Sequence, residues 1–175
     1  MQLDLEELFR LHYDEVARYL KRRVDASTAD EVAQNAFTEA FHGRATYDPR
    51  LGTPRAWIFG IAINLTRKHF RQQRTAEDAN AILGAELGEP HDSWPEDLID
   101  RLDARVLRDV IDSALRSLPR LQLEALTLYA WTELTQREIA AALGVPEGTI
   151  KSRLSKARRH LRAFLQASLS EQGDG

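Results

Sequence analysis

Residues 135–162, TQREIAAALGVPEGTIKSRLSKARRHLR, decide the fold, because two short helical patterns meet there at a Gly-Val turn and the second is loaded with cations. Thr135 stands three residues before Glu138, the spacing of a capping box. Ile139, Ala140 and Leu143 then repeat at helical spacing until Gly144 stops the segment. Pro146 suits the first turn of a second helix, where a missing N–H costs nothing, and Ile150, Leu154, Ala157 and Leu161 make a narrow apolar stripe along it. At about 100° per residue, Gly148, Ser152, Ser155, Lys156 and Arg159 point away from that stripe, with Lys151 and Arg162 on its shoulder. Small side chains near the start of a helix allow close approach to base edges, and cations further along can hold phosphates. A solvated basic face over a core also carries such a seam, but a capped helix and a tight turn in front of it read as a helix-turn-helix that docks on DNA.

Working outward, the chain is helical almost throughout. Leu5, Leu8, Phe9, His12, Val16 and Leu20 define a first amphipathic helix that ends in Lys21, Arg22 and Arg23, where cations suit the helix dipole. A second spans about residues 28–42, with Val32, Ala36, Phe37 and Ala40 inward and Asp30, Glu31, Gln34, Asn35 and Thr38 outward; by itself that outer face is a solvated surface. Residues 43–54, GRATYDPRLGTP, are punctuated by Gly and Pro and read as a loop. In a third helix over residues 55–74, Ile58, Phe59, Ile61, Ala62, Ile63, Leu65 and Phe70 cover two broad apolar sides. The sector left over holds Trp57, Gly60, Asn64, Arg67, Lys68 and Arg71. An exposed Trp beside an Asn and three cations suits stacking on unpaired bases, although the same spacing lets Trp57 fill a core instead.

Residues 76–100 are rich in Ala, Glu, Asp and Gly, contain Pro90 and Pro95, and show weak periodicity apart from residues 81–87. Periodicity returns at Leu102, Val106, Val110, Ile111 and Leu115, and Leu118-Pro119 opens a further helix to about Trp131. The expected fold is all-α: two small helical bundles, residues 1–75 and 101–170, joined by an acidic linker over 76–100.

The net charge of −3 hides a division along the chain. Residues 1–75 carry 12 Lys/Arg against 10 Asp/Glu, residues 76–114 carry 3 against 11, and residues 115–175 carry 9 against 6. Two mildly basic ends around an acidic middle suit two DNA-contacting modules on a tether; a second role for that middle is to screen the basic faces. With no cysteine and five scattered histidines, neither a metal nor a cofactor is expected. The start, MQLDLEELF, lacks a signal-peptide pattern, and the longest apolar run, residues 56–63, falls far short of the ~20 residues of a membrane span, so no membrane insertion and a cytoplasmic location are expected. No phosphate-binding Gly loop, paired carboxylates or nucleophile motif points to an enzyme.

Three blocks then carry a resemblance: LFRLHYDEVARYLKRRV with DEVAQNAFTEAF, YDPRLGTPRAWIFGIAINLTRKHFRQQR, and ALRSLPRLQLEALTLYAWTELTQREIAAALGVPEGTIKSRLSKARRHLR. In this order they are similar to regions 2 and 4 of the extracytoplasmic-function (ECF) sigma factors of bacterial RNA polymerase. The resemblance implies a transcription initiation factor whose partners are core RNA polymerase and promoter DNA, with an anti-sigma factor as a further partner that many relatives have. It implies that Asp30, Glu31, Gln34, Asn35 and Thr38 face the core enzyme. It implies that Trp57, Asn64, Arg67, Lys68 and Arg71, with the loop before them, face the −10 element, where a base is flipped from the non-template strand. It places Lys151, Ser152, Arg153, Ser155, Lys156 and Arg159 at the −35 element, with Arg153, toward the edge of the core face, on a phosphate. One departure is LQLEAL at residues 121–126, which lacks the Arg often found before this Glu in the family. A helix-turn-helix regulator resembling the LuxR class, or a helical adaptor that only sequesters a partner, are the competing readings; the YDPRLGTPRAWIFGIAIN block tells against the first.

Overall fold

The computed structural model describes residues 4–80 and 104–172, and every described element is helical. Helix α1 (Leu5–Lys21) starts at Asp4, whose carboxylate accepts the Glu7 N–H at 3.0 Å, and α2 (Ala26–Gly43) starts at Asp25, which accepts the Thr28 N–H at 3.0 Å. A 3₁₀ turn (Arg44–Thr46) and a short loop lead to α3 (Pro54–Asn80). Then come α4 (Ala104–Arg116), α5 (Arg120–Trp131), α6 (Gln136–Leu143) and α7 (Glu147–Gln172). Helix α3 runs past the expected Arg74 because Gln, Ala and Glu favour helix and neither Gly nor Pro interrupts them. Residues 76–80 of the expected linker therefore continue α3, while 81–100, with the turn expected near 81–87, lie outside the described residues.

The expected helix-turn-helix forms with both ends closed. Thr135 Oγ1 accepts the Glu138 N–H at 3.2 Å and Glu138 accepts the Thr135 N–H at 3.0 Å. Gly144 takes the left-handed conformation (φ 65°), and its N–H and that of Val145 close onto carbonyls of the last turn. These caps matter because eight residues are too few for a helix to stand alone in water.

The first bundle packs α1, α2 and α3 around Val16, Leu20, Ala33, Ala36, Phe59 and Ala62, with Tyr19 edge-on to Phe59 at 5.7 Å. The second packs α4–α7 around Leu128, Ile139, Ile150 and Leu154, with Leu115, Leu118 and Ala157 as a satellite cluster. Small residues on α2 let the helices lie close. Phe9, expected inside, is 49% exposed: it stacks on Tyr13 at 4.7 Å and meets the half-buried Phe37 edge-on at 5.1 Å, leaving an aromatic knuckle on α1 and α2.

The two bundles also pack on one another, which the sequence left open. α3 lies along α6, and one continuous core runs through both. Two glycines allow the approach: a Cβ on Gly60 would stand 2.9 Å from the Ala142 carbonyl oxygen, and one on Gly52 would stand 2.9 Å from the Ala141 Cβ.

Two expected outcomes test the local architecture. Gly144→Ala should cost about 1 kcal/mol in urea unfolding, the penalty of a Cβ in the left-handed region. Thr135→Ala should cost about 1 kcal/mol at neutral pH. Burial works against the ionised Glu138, yet hydrogen bonds from Thr135 and Thr53 and the charge of Arg55 outweigh it and hold its carboxyl below the ordinary 4.5. A lowered folded-state value gives stability that is fully present above pH 4.5 and lost below it, as pH falls through that lowered value, and Thr135→Ala should flatten that acid-side loss.

Candidate nucleic-acid interface

The outer face of α7 is open. Ser152, Ser155, Lys156 and Arg159 are exposed, as is Lys151, which pairs with Glu147 at 3.0 Å one turn back. Nothing lies within 4 Å of a Cβ placed on Gly148, so the start of the helix is unobstructed. Ile150, Leu154 and Ala157 are buried beneath, in the expected register, and Leu161 is half-buried. Arg153 is half-buried and turns to the edge of the core face, beside α3 and α5.

The strip on α3 is covered in part. Gly60 lies under the backbone of α6. Trp57, which the spacing left open between stacking on bases and filling the core, is half-buried against the core and tilted onto Tyr47 at 5.4 Å, so it serves packing in this arrangement. Tyr47 in turn donates its hydroxyl to the Gly52 carbonyl at 3.1 Å, and Asp48 accepts from Arg50, which orders the loop. Asn64, Lys68 and Arg71 are exposed. Arg67 is engaged: its Nε and Nη2 donate to the two oxygens of Glu124 on α5 at 3.0 and 2.6 Å, and its Nη1 reaches Asn64 at 3.4 Å. This fork raises the Arg67 pKa above its usual value, against the opposing effect of burial.

Glu124 is the residue that sequence reasoning passed over. It is only 2% exposed, on a buried face of α5 shared with Ala125 and Leu128. Its place was readable, because Glu124 precedes Leu128 by one helical turn and an acid in a core position demands a partner.

Further cross-bundle contacts surround that pair. Arg23 donates to Thr127 at 3.1 Å, and Arg22 lies over the Trp131 ring at 5.5 Å. Arg55 donates its Nε to Glu15 at 3.0 Å, makes a second short bond to the same carboxylate, and reaches the Glu133 carbonyl at 3.1 Å. Thr53 donates to Glu138 at 2.9 Å. Beside Arg67, a cleft of about 500 Å³ is lined by Asn64, Arg67 and Arg71 of α3, Arg120 and Leu121 of α5, and Arg153 of α7, among others.

On α2, Glu31, Gln34, Asn35 and Thr38 are exposed, and Asp30 is half-buried with Lys21 at 3.0 Å. Among the described residues no cluster of His, Asp and Glu could hold a metal, and no helix is long and apolar enough to cross a membrane.

Two helical modules, one ending in a helix-turn-helix with an open polar and cationic face, define a nucleic-acid-reading protein. Comparison with known proteins gives the family. The model for sigma-70 region 2 matches residues 8–76 and that for sigma-70 region 4 matches residues 108–161. The RNA polymerase sigma factor HrpL of Pseudomonas syringae pv. syringae is 31% identical over 153 residues, which cover 82% of this chain and 77% of that protein. The ECF RNA polymerase sigma factor SigL of Mycobacterium tuberculosis is 30% identical over 165 residues, covering 91% and 89%. Among solved structures, the sigma factor RpoE of Bartonella quintana, in complex with the anti-sigma factor NepR, superposes with a TM-score of 0.68 at 24% identity over 93% of this chain and 97% of that one. CnrH, in complex with the cytosolic domain of CnrY, gives 0.62 at 25% identity over 93% and 88%. The chain belongs to the ECF RNA polymerase sigma factors, which are transcription initiation factors.

Arg55 should prove structural rather than DNA-reading. Arg55→Met should cost about 2 kcal/mol by stranding the half-buried Glu15, and adding Glu15→Gln should recover part of it in a double-mutant cycle.

Proposed function

We propose that this chain gives core RNA polymerase its promoter selectivity, with α7 in the major groove of the −35 element, the α3 strip at the −10 element, and the outer face of α2 on the core enzyme. The observation that carries this is the open face of α7, where Ser152 and Ser155 leave room at the base edges and Lys151, Lys156 and Arg159 stand where a backbone would pass. Arg153, at the cleft edge, contacts a phosphate. On α3, Asn64 and Trp57 take a base flipped from the non-template strand while Arg67, Lys68 and Arg71 hold its backbone. Flipping costs a few kcal/mol of unstacking, so a preformed site selects sequence and promotes melting together.

On α2, Asp30, Glu31, Gln34, Asn35 and Thr38 form the core-binding set. Residues 1–75 act as region 2, 76–100 as an acidic connector and 101–170 as region 4. The protein has no catalytic chemistry of its own; the polymerase supplies it, in the cytoplasm. An anti-sigma factor is a further partner, as it is for the Bartonella relative. Because few phosphates are neutralised by so small a module, binding by the chain alone should be weak and should weaken further as salt rises, with core polymerase fixing the spacing.

Run-off transcription with sigma-free core enzyme tests this directly, and failure to select a start site would reject it. Lys156→Ala with Arg159→Ala should weaken −35 engagement and lower its salt slope by about 1 for each side chain removed, with core affinity intact. Asn64→Ala should lower permanganate reactivity of −10 thymines more than it lowers polymerase affinity. Equal loss of core binding by both variants would refute the division of labour.

A further inference from the structure

We propose that in the chain free of polymerase part of the α3 strip, from Gly60 to Arg67, is already covered by the chain's own α5 and α6, with Glu124 seated on Arg67 in place of a nucleic-acid acceptor, while the α7 face stays open. The masking is one-sided: it weakens binding of single-stranded −10 DNA and leaves binding of −35 duplex unchanged. This rests on reading α3 as the −10 face.

The Arg67 guanidinium presents two parallel N–H donors to Glu124, the fork geometry with which arginine also grips phosphate. A strand that uses Arg67 must first displace a carboxylate that is 2% exposed. The same movement must lift Ala142 off Gly60, where the backbones are too close for even a methyl group between them. Nothing comparable covers α7, where Gly148 is open and Ser152, Ser155, Lys156 and Arg159 are exposed.

Closure is also poised to open. It brings Arg67 of α3 to one cleft with Arg120 of α5 and Arg153 of α7. Glu124 offsets part of this like-charge crowding from behind Arg67. Without its charge, the cations repel one another across the boundary and the arrangement loosens.

The test uses the full chain without polymerase and follows fluorescence anisotropy of a short random-sequence single strand and of a random-sequence duplex. If the closed form dominates by about ten to one, Glu124→Gln should bind the single strand about tenfold tighter and the duplex unchanged. Adding Arg67→Ala should abolish the gain, since the gain runs through the released guanidinium. Ala141→Trp, a wedge on α6 that replaces no residue of either DNA face, should reproduce it without altering charge. Single-strand binding equal to wild type in both Glu124→Gln and Ala141→Trp would overturn the proposal. Run-off transcription by the wild type separates the two levels: no start-site selection overturns the −10 reading itself, whereas selection without any gain in the variants overturns masking alone.

Discussion

The close approach of α3 to α6 is the constraint on which most of the structure depends. At Gly60 a hydrogen stands where another residue would place carbon, and the Ala142 carbonyl fills the space. The approach brings α5 within reach of α3, so that Glu124 can be buried with its charge satisfied by Arg67. It brings Arg55 from its pairing with Glu15 on α1 to the Glu133 carbonyl, and Thr53 to Glu138. Helix α6 gains most. Too short to persist alone, it is held at one end by its capping box, at the other by Gly144, and along its flank by α3.

How much of this could be read from the residues depended on whether the governing rule was local. The helix-turn-helix was legible almost to the residue, because capping boxes and left-handed glycines act over three or four positions: Thr135, Glu138 and Gly144 take the roles their spacing implies. The side of α7 that turns outward was legible as well, down to Arg153 at the margin, because Ile150, Leu154 and Ala157 anchor the opposite side. What lies against a face was not. Periodicity grouped Trp57, Gly60, Asn64 and Arg67 correctly on one side of α3, but helical spacing carries no information about what approaches from the rest of the chain, and α6 covers part of that side. Gly60 passed as a member of a polar strip although its role is steric. Phe9 fell on an apolar stripe and nevertheless stands half in solvent, where Tyr13 and Phe37 complete an aromatic cluster in place of a core.

Electrostatics gives the two modules different characters. On α7 the cations face water at little cost and remain available. Arg67 is fixed by a nearly fully buried carboxylate, and removing either partner of such a pair leaves the other uncompensated. The formal charge of −3 describes neither surface, since the same chain presents an open basic ridge and a basic cleft partly offset from within.

The glycines at 52 and 60 give the closed arrangement an evolutionary consequence. Every glycine codon lies one nucleotide change from alanine and from valine, and either residue would hold the modules apart like a doorstop while leaving each helical bundle its own core. If the closed form masks part of the −10 face, single mutations at either glycine raise basal output without altering a promoter or an inhibitor.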